Sequence, residues 1–372
     1  MTPVYLQRGA LHCALGDDLA GASQAMAEGR HAHGRPFLLH ELQQPRSYLY
    51  VPGAAQPFDQ RLDRLLSETL GDAPGALDDC LLIVASTSLD IVELEAVAAE
   101  QGRFQPDNST SLDRIAEELR QRWGFAEAFT LNTACTSAAN GLLYSARMLA
   151  SGQFARAVVV AFETPSALAM QGFGALDLLS PSGHYRPFHP QRDGLVLGET
   201  YAATLLSLQP GAAPLARLLG GYSACDTSSL TTTREDGSHI DLVMQRALRS
   251  AGQQAADVAL VKLHGTATQA NDVAERNGML SLYGEQMPAL CVLKPWLGHT
   301  LGACGLSETL LLMHALQQGQ LPGLDYASEA SLPLSAEPIS LSNDAVLLAN
   351  FFGFGGNNAS LVLQCCAMGG EQ

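Results

Sequence analysis

The chain has 372 residues, of which 47% are hydrophobic and 35 are glycine, and its formal net charge is −16. This length and apolar content can bury one extensive core or two fused ones. The acidic excess argues against nucleic acid and anionic membrane surfaces as partners, because both bind clustered Lys and Arg. The eight cysteines include no C-x-x-C pair, which favours free thiols over disulfides or a zinc site.

No segment has the pattern of a membrane span or a signal peptide. Arg8 interrupts the N-terminal region before a signal-peptide core can form, and Glu163 ends the apolar run 157–162 far short of membrane-spanning length. We therefore expect a cytoplasmic protein without a transmembrane segment.

Short apolar runs with β-branched content, bounded by turn residues, predict buried strands in both halves of the chain. They are 80–86, 157–162, 201–207, 258–263, 290–294, 346–350 and 359–364. In the second half they alternate with predicted helices near 271–283 and 302–318. This βαβ rhythm predicts an α/β fold with parallel-rich sheets covered by helices. The stretch 209–214 carries two prolines and a glycine, so we place the domain boundary there, with domains at 1–208 and 209–372.

Cys135 lies in Asn132-Thr-Ala-Cys135-Thr-Ser-Ala-Ala-Asn140, where an apparent strand gives way to a helix rich in small residues. Most buried cysteines are simply small core residues. This position differs, because backbone N–H groups and the positive end of a helix stabilise a thiolate. A free thiol titrates at about 8.5, and we expect a lower pKa here.

Two histidine motifs follow far downstream. They are His264-Gly-Thr-Ala-Thr268 and Lys294-Pro-Trp-Leu-Gly-His299, and a glycine-rich loop, 351–358, comes after them. Taken singly, each has a structural explanation: a buried histidine, a solvated lysine or a glycine turn. Together with Cys135, the two imidazoles and the ammonium group predict acyl transfer.

Cys, His and His in this order, each in a Gly/Thr/Ser/Ala-rich setting after an apolar run, closely resemble the elongating β-ketoacyl-acyl-carrier-protein synthases of the thiolase superfamily. The resemblance covers nearly the whole chain. The segment 13–16 is similar to the family's opening, and 180–199 is similar to its Arg-Pro-Phe, Arg-Asp-Gly and Leu-Gly-Glu run. It implies the thiolase fold, in which two related βαβ halves stack as a five-layered αβαβα body. The spacing of Cys135 and His264 implies trimmed loops.

The resemblance implies a 3-oxoacyl-acyl-carrier-protein synthase of fatty acid or polyketide biosynthesis. Such an enzyme joins malonyl carrier to a Cys135-bound acyl chain by decarboxylative Claisen condensation. His264 and His299 would donate ring N–H groups to the enolate, and backbone N–H groups at Cys135 and near Phe354 would bind the acyl oxyanion. Phe354, between two glycines, would also gate the acyl chain, with Phe173 as a candidate opposing wall. No metal or redox cofactor is implied, since substrates arrive on the phosphopantetheine arm of an acyl carrier protein.

Supporting roles follow from the same resemblance. Lys294 would order the histidine network, and Glu308 would pair with Lys294 or organise water. Asp272 and Glu275 follow His264 in a similar way. The alternative for all three acids is that they are ordinary residues of a helix face, and for Asp272 the two interpretations have equal weight.

Thr266 and Thr268 alternate in an extended segment, so both hydroxyls can face a pantetheine arm. The alternative is a pair that stabilises a turn.

Because carrier proteins are acidic, an enzyme this acidic needs a local basic patch for docking. Arg61 and Arg64, three residues apart on one predicted helix face, are the first candidates, and Arg120 and Arg122 are weaker ones. The alternative is solvated helix arginines. Members of the family dimerise across the sheet that leads into the nucleophile. The resemblance therefore implies a homodimer, or a heterodimer with a homologous ketosynthase or chain-length factor.

Three other classes are weighed against this interpretation. A biosynthetic thiolase would carry a second catalytic cysteine in its C-terminal glycine-rich motif, where this chain has Phe354. A chain-length-factor partner subunit would usually lack the nucleophile, and a thioesterase would not need the 294–299 motif. Trp296, Cys304 and the shortened loops are more similar to ketosynthases of aryl-polyene or related polyketide clusters than to housekeeping enzymes.

Overall fold

The computed structural model describes residues 1–37, 45–53, 56–71, 75–102, 112–229 and 233–366. Within these ranges the strands are β1 Val4–Cys13, β2 Arg35–Phe37, β3 Arg46–Leu49, β4 Cys80–Ala85, β5 Glu127–Leu131, β6 Arg156–Glu163, β7 Leu197–Gly198, β8 Thr200–Ser207, β9 Ala216–Cys225, β10 Val258–Lys262, β11 Ala289–Cys291, β12 Val346–Phe352 and β13 Asn357–Cys365. The helices are α1 Leu19–Ala27, α2 Phe58–Leu70, α3 Ile91–Gln101, α4 Arg114–Trp123, α5 Ser137–Ala150, α6 Ala167–Ala175, α7 Ser238–Ala251, α8 Gln269–Tyr283, α9 Lys294–Leu297 and α10 Cys304–Gln317.

Ten of these strands form one sheet in the order β11-β10-β12-β13-β9-β1-β8-β6-β4-β5. Its two halves repeat one topology. In the N-terminal half β4 is parallel to β5 and β6, and the pairs β6/β8 and β8/β1 are antiparallel. In the C-terminal half β10 is parallel to β11 and β12, and the pairs β12/β13 and β13/β9 are antiparallel. The prediction of two related βαβ halves is confirmed, and a short antiparallel ladder between β1 and β9 joins them.

The helices complete five layers. Helix α5 packs on β4 and β6 of one half and on β9 and β13 of the other, while α10 packs on β1, β8, β12 and β13. Helices α2 and α4 cover the far side of the N-terminal half, and α7, with α8 against it, covers the far side of the C-terminal half. Alternate residues of β4 serve the two faces: Leu81 and Ile83 join the core that contains α5, whereas Leu82 and Val84 join the core under α2 and α4. The fold is thiolase-like, as expected.

Two details differ from the sequence-based strands. The strand predicted at 290–294 ends at Cys291, because Lys294 begins α9 with Pro295 in its first turn, where proline is favoured. Strands β1 and β9 were not predicted, since their runs are interrupted by polar residues and glycines.

The connection 208–215 between β8 and β9 contains the proposed domain boundary. Every helix in the described ranges is too short or too polar to cross a lipid bilayer.

Candidate active site

A strained turn between β5 and α5 carries Cys135 into the centre of the molecule. Ala134 has a φ of 53°, in the left-handed region that non-glycine residues seldom adopt. The hydroxyl of Ser137 holds this turn, accepting from the N–H of Thr133 at 2.9 Å and donating to the carbonyl of Ala134 at 2.7 Å. The Cys135 side chain is consequently only 5% exposed.

The thiol lies against the second histidine motif. Cys135 Sγ is 3.3 Å from His299 Nε2. Burial raises the pKa of the thiol to about 11, while the positive charge of Lys294 and the backbone N–H of Phe354 act in the opposite direction. The expected lowering of this pKa was wrong in its net direction. Desolvation of a thiolate in a closed site outweighs the stabilisation that a helix end and one nearby ammonium supply.

The two predicted histidines meet beside the thiol. Their ring centroids are 5.4 Å apart with an interplanar angle of 79°, and both side chains are buried. Burial, with a further contribution from the charge of Lys294, lowers both pKa values well below 6.5, so both imidazoles are neutral. Lys294 Nζ lies 3.3 Å from His264 Nδ1. Because an ammonium only donates, Nδ1 accepts and the ring proton of His264 is on Nε2.

Behind the histidines, one carboxylate binds two buried lysines. Glu308 accepts from Lys294 at 2.6 Å through Oε1 and from Lys262 at 2.5 Å through Oε2, and none of the three side chains is exposed. Burial lowers the pKa of Lys262. Burial acts in the same direction on Lys294, but the charge and hydrogen bond of Glu308, together with the nearby Cys304 and Cys135, raise its pKa overall. The Lys294–Glu308 pairing was predicted, but Lys262 was missed. The sequence does contain an indication of its role, because Lys262 is a charged residue in an otherwise apolar strand, two residues before His264.

Two carboxylates of α8 hold the loop that carries the first histidine. Glu275 accepts from the N–H groups of His264 and Gly265 at 2.7 and 2.8 Å. Asp272 accepts from the N–H of Thr266 at 3.0 Å and is also 3.5 Å from the buried guanidinium of Arg192. Burial raises the pKa of Asp272 to about 6 and that of Glu275 to about 7. Both acids contact backbone rather than the thiol, so they position His264 instead of meeting the substrate.

The two threonines of the first motif lie on the wall of the site. The Thr266 and Thr268 hydroxyl oxygens are 2.8 Å apart, and Ala267 between them has a φ of 60°. The left-handed residue, and not an extended strand, brings them together. Both line a narrow channel of about 100 Å³ that also contacts Cys135, His264 and His299.

Two phenylalanines separate this channel from a second cavity. The rings of Phe354 and Phe173 are 5.4 Å apart, and both residues, like Cys135, line the channel as well as a cavity of about 440 Å³. Leucine and isoleucine side chains form much of the cavity wall: Leu89, Ile91, Leu94, Leu168 and Leu301. The thiol therefore lies where the channel that contains the two histidines meets an apolar cavity. A Cβ on Gly353 would lie 3.0 Å from the backbone nitrogen of Cys135, so this close approach of the loop favours glycine.

The structure corrects the docking prediction for Arg61 on α2. The side chain of Arg61 is only 7% exposed, and its guanidinium lies over the Tyr201 ring and 3.5 Å from Asp17. Arg64 pairs with Asp17 and, at 2.7 Å, with Glu68. Arg61 therefore serves an internal cluster, whereas Arg64, with a side chain 36% exposed, stays a docking prediction with its charge offset by two acidic neighbours.

The weaker docking candidates are also engaged within the chain: Arg120 pairs with Glu117 at 2.7 Å and Arg122 pairs with Asp63 at 2.9 Å. Acidic neighbours thus offset the positive charge of all four predicted docking residues.

A buried thiol, two neutral imidazoles and an ammonium–carboxylate cluster between the halves of a thiolase-like fold define a condensing acyltransferase. Comparison with known proteins agrees. The family models for the β-ketoacyl synthase N-terminal and C-terminal domains match residues 97–210 and 215–324, together more than half of the chain. The chain belongs to the β-ketoacyl synthase family and is an elongating condensing enzyme.

Individual relatives are similar over most of the chain. The 3-oxoacyl-[acyl-carrier-protein] synthase 2 of Vibrio cholerae is 32% identical in an alignment 278 residues long, which covers 69% of this chain and 67% of that protein. The crystal structure of a β-ketoacyl synthase from Burkholderia phymatum superimposes with a TM-score of 0.82 at 25% identity, covering 98% of this chain and 100% of that one. A chain of the solved complex between the ketosynthase ApeO and its chain length factor ApeC from Xenorhabdus doucetiae superimposes with a TM-score of 0.81 at 23% identity, with 98% of each chain covered.

Proposed function

We propose that the protein extends a Cys135-bound acyl chain by two carbons from malonyl carrier, through decarboxylative Claisen condensation. The observation that carries this proposal is the convergence of Cys135, His264 and His299 on one channel, with an apolar cavity on the far side of the thiol. The channel suits a pantetheine arm and the cavity suits an acyl chain. The steps use the chain's own side chains, so the proposal needs no metal or redox cofactor.

In the first step, the sulfur of Cys135 attacks the carbonyl carbon of a carrier-bound acyl thioester. The bond from that carbon to the pantetheine sulfur breaks, and the departing carrier thiol takes up the proton that Cys135 loses. Lys294, the Phe354 N–H and an Nε2–H of His299 at 3.3 Å stabilise the thiolate. The Cys135 and Phe354 N–H groups are the proposed donors to the acyl oxyanion.

In the second step, malonyl carrier enters the channel and its carboxylate leaves as carbon dioxide. The electron pair of the broken carbon–carbon bond forms an enolate, whose oxygen accepts from the Nε2–H groups of His264 and His299. The enolate carbon then attacks the acyl carbonyl, and Cys135 leaves as a thiolate. The product is a 3-oxoacyl chain on the carrier. Thr266 and Thr268, on the channel wall, are the proposed contacts of the pantetheine arm.

We propose two kinds of partner, an acyl carrier protein and a second ketosynthase-type subunit. Strand β5 pairs with β4 alone and ends the ten-stranded sheet, so its outer edge faces no strand of the described chain. Phe129 on this edge is 43% exposed, and an edge strand with a free side and an exposed apolar side chain is a template for pairing with another chain. A homodimer and a heterodimer with a chain-length factor both fit this edge. The solved ketosynthase–chain length factor complex has the same fold.

The alternative role as a chain-length-factor-like subunit has weaker support. That role needs no nucleophile, whereas here the thiol of Cys135 contacts an imidazole and borders both cavities.

Mass spectrometry of carrier-bound products tests the proposed reaction. Purified protein, with and without a candidate partner subunit, is incubated with a defined acyl carrier and malonyl carrier. We expect a 3-oxoacyl product two carbons longer and one carbon dioxide released for each product formed. A hydrolysed acyl chain without elongation would instead identify a thioesterase.

A further inference from the structure

Lys262 is buried beside the active site and has no part in the reaction as described so far. It ends β10, two residues before His264, and its side chain has no exposed surface. Its Nζ donates to Glu308 Oε2 at 2.5 Å and to the Asn350 carbonyl at 2.8 Å, and it lies 3.7 Å from the centroid of the Phe351 ring. Burial of an ammonium is costly unless its charge is paired, so the pairing with Glu308 accounts for its presence.

The carboxylate of Glu308 is shared, one oxygen to each lysine. Lys294 occupies Oε1, and Lys262 is the hydrogen-bond donor to Oε2 among the described residues. A carboxylate held at both oxygens cannot rotate about its last side-chain bond without losing a charge-assisted hydrogen bond. Lys262 is itself tied to β12 through Asn350. It therefore fixes the orientation in which Glu308 meets Lys294.

We propose that Lys262 is a positioning residue for the condensation, acting through Glu308 and Lys294 on the tautomer of His264. This inference rests on the proposed function. Lys294 Nζ, 3.3 Å from His264 Nδ1, keeps that nitrogen an acceptor and leaves the proton on Nε2. When Glu308 is free to turn, Lys294 is no longer held against Nδ1, and the imidazole can carry its proton on either nitrogen. Only the Nε2–H tautomer donates toward the enolate oxygen.

The larger effect should fall on one half-reaction. Lys262 contacts neither Cys135 nor His299, whereas its chain of contacts ends at His264. Lys294 keeps its charge in a Lys262 variant, so acylation of Cys135, which that charge assists, should slow less than release of carbon dioxide from malonyl carrier.

The test compares Lys262→Met with Glu308→Gln and with the double variant. Methionine keeps an unbranched side chain in place of the lysine stem and removes the charge. Three quantities are measured for each protein: acylation by intact-protein mass spectrometry, release of labelled carbon dioxide from malonyl carrier, and the His264 tautomer in long-range ¹H–¹⁵N spectra of protein with ¹⁵N-labelled histidine. His264→Ala assigns the resonance.

We expect Lys262→Met to slow carbon dioxide release by about tenfold or more, but by less than the roughly 10²–10³-fold loss that follows removal of a donor outright. The His264 spectrum should change from a single Nε2–H tautomer to a mixture. Because Lys262 acts through Glu308, the substitution should cause no further loss in the Glu308→Gln background. The double variant leaves no unpaired buried carboxylate, so it serves if Lys262→Met alone fails to fold.

Any of three results would overturn the inference. Lys262→Met could release carbon dioxide at the wild-type rate, or it could lose both half-reactions equally with an unchanged His264 tautomer. In the third case, the losses of the two single variants would add up in the double variant. The proposed function is judged separately. If the wild-type protein itself releases no carbon dioxide from malonyl carrier, the proposed reaction fails, and the tautomer spectra still decide whether Lys262 controls His264.

Discussion

Glu163 ends β6 on the wall of the larger cavity, and its carboxyl group is buried with 1% of the residue exposed. Three hydrogen bonds fall on one of its two oxygens. Oε1 accepts from the Thr87 N–H at 2.5 Å, the Thr87 hydroxyl at 2.8 Å and the Gly302 N–H at 3.1 Å. Substitution by glutamine can keep that oxygen as the acceptor and replace the other oxygen by an amide. Glu163→Gln therefore tests the charge of this group with little change in shape.

Burial raises the pKa of Glu163 from its ordinary 4.5 to about 7, although its hydrogen bonds act to lower it. The folded state thus holds this proton more tightly than the unfolded state does. The resulting stability is fully present below pH 4.5 and is lost as the pH rises from 4.5 through about 7. At about 1.4 kcal/mol for each pH unit, the whole interval corresponds to about 3 kcal/mol, of which about 2 kcal/mol lies above pH 5.5.

The assay is urea unfolding of wild type and Glu163→Gln at pH 5.5 and pH 8.5, with Glu100→Gln on the exposed face of α3 as the matched control. From pH 5.5 to pH 8.5 the wild type should lose about 2 kcal/mol more free energy of unfolding than Glu163→Gln does, because glutamine does not titrate. The control should show no such difference. A stability difference between Glu163→Gln and wild type that is the same at both pH values would refute the reasoning. The carboxyl group would then be no harder to ionise in the fold than in the unfolded chain.

Three further predictions concern the reacting groups. Cys135→Ala should keep its fold but gain no acyl mass from acyl carrier in intact-protein mass spectrometry, and unchanged labelling would contradict the role of the thiol. His264→Ala and His299→Ala should still accept an acyl group but lose malonyl decarboxylation by about 10²–10³-fold each, and carbon dioxide release at the wild-type rate would remove that histidine from the mechanism. With a pKa near 11, the thiol should alkylate with iodoacetamide about tenfold faster for each pH unit from 7 to 9, and Lys294→Met should be slower throughout. If the alkylation rate reached a plateau below pH 8, the pKa of the thiol would be far lower than 11 and the thiolate far more stable than burial implies.

Local sequence was sufficient for much of the fold and the core of the site. The apolar run 157–162 predicted β6, and the pattern near 271–283 predicted α8, since such runs reflect the burial of a strand or of one helix face. Resemblance on the motifs around Cys135, His264 and His299 identified three side chains that the structure brings into one channel. These features depend on neighbours along the chain, and the sequence contains them directly.

Other features depend on residues far apart in sequence, and only the tertiary structure decided them. Arg61 has the spacing of an exposed helix arginine, yet packing of α2 against the sheet buries it beside Asp17. Lys262 and Glu308 become partners only because α10 is enclosed between the two halves of the fold. The pKa of Cys135 is raised instead of lowered for the same reason. A helix end is a local feature that favours the thiolate, whereas desolvation depends on how completely the five packed layers exclude water.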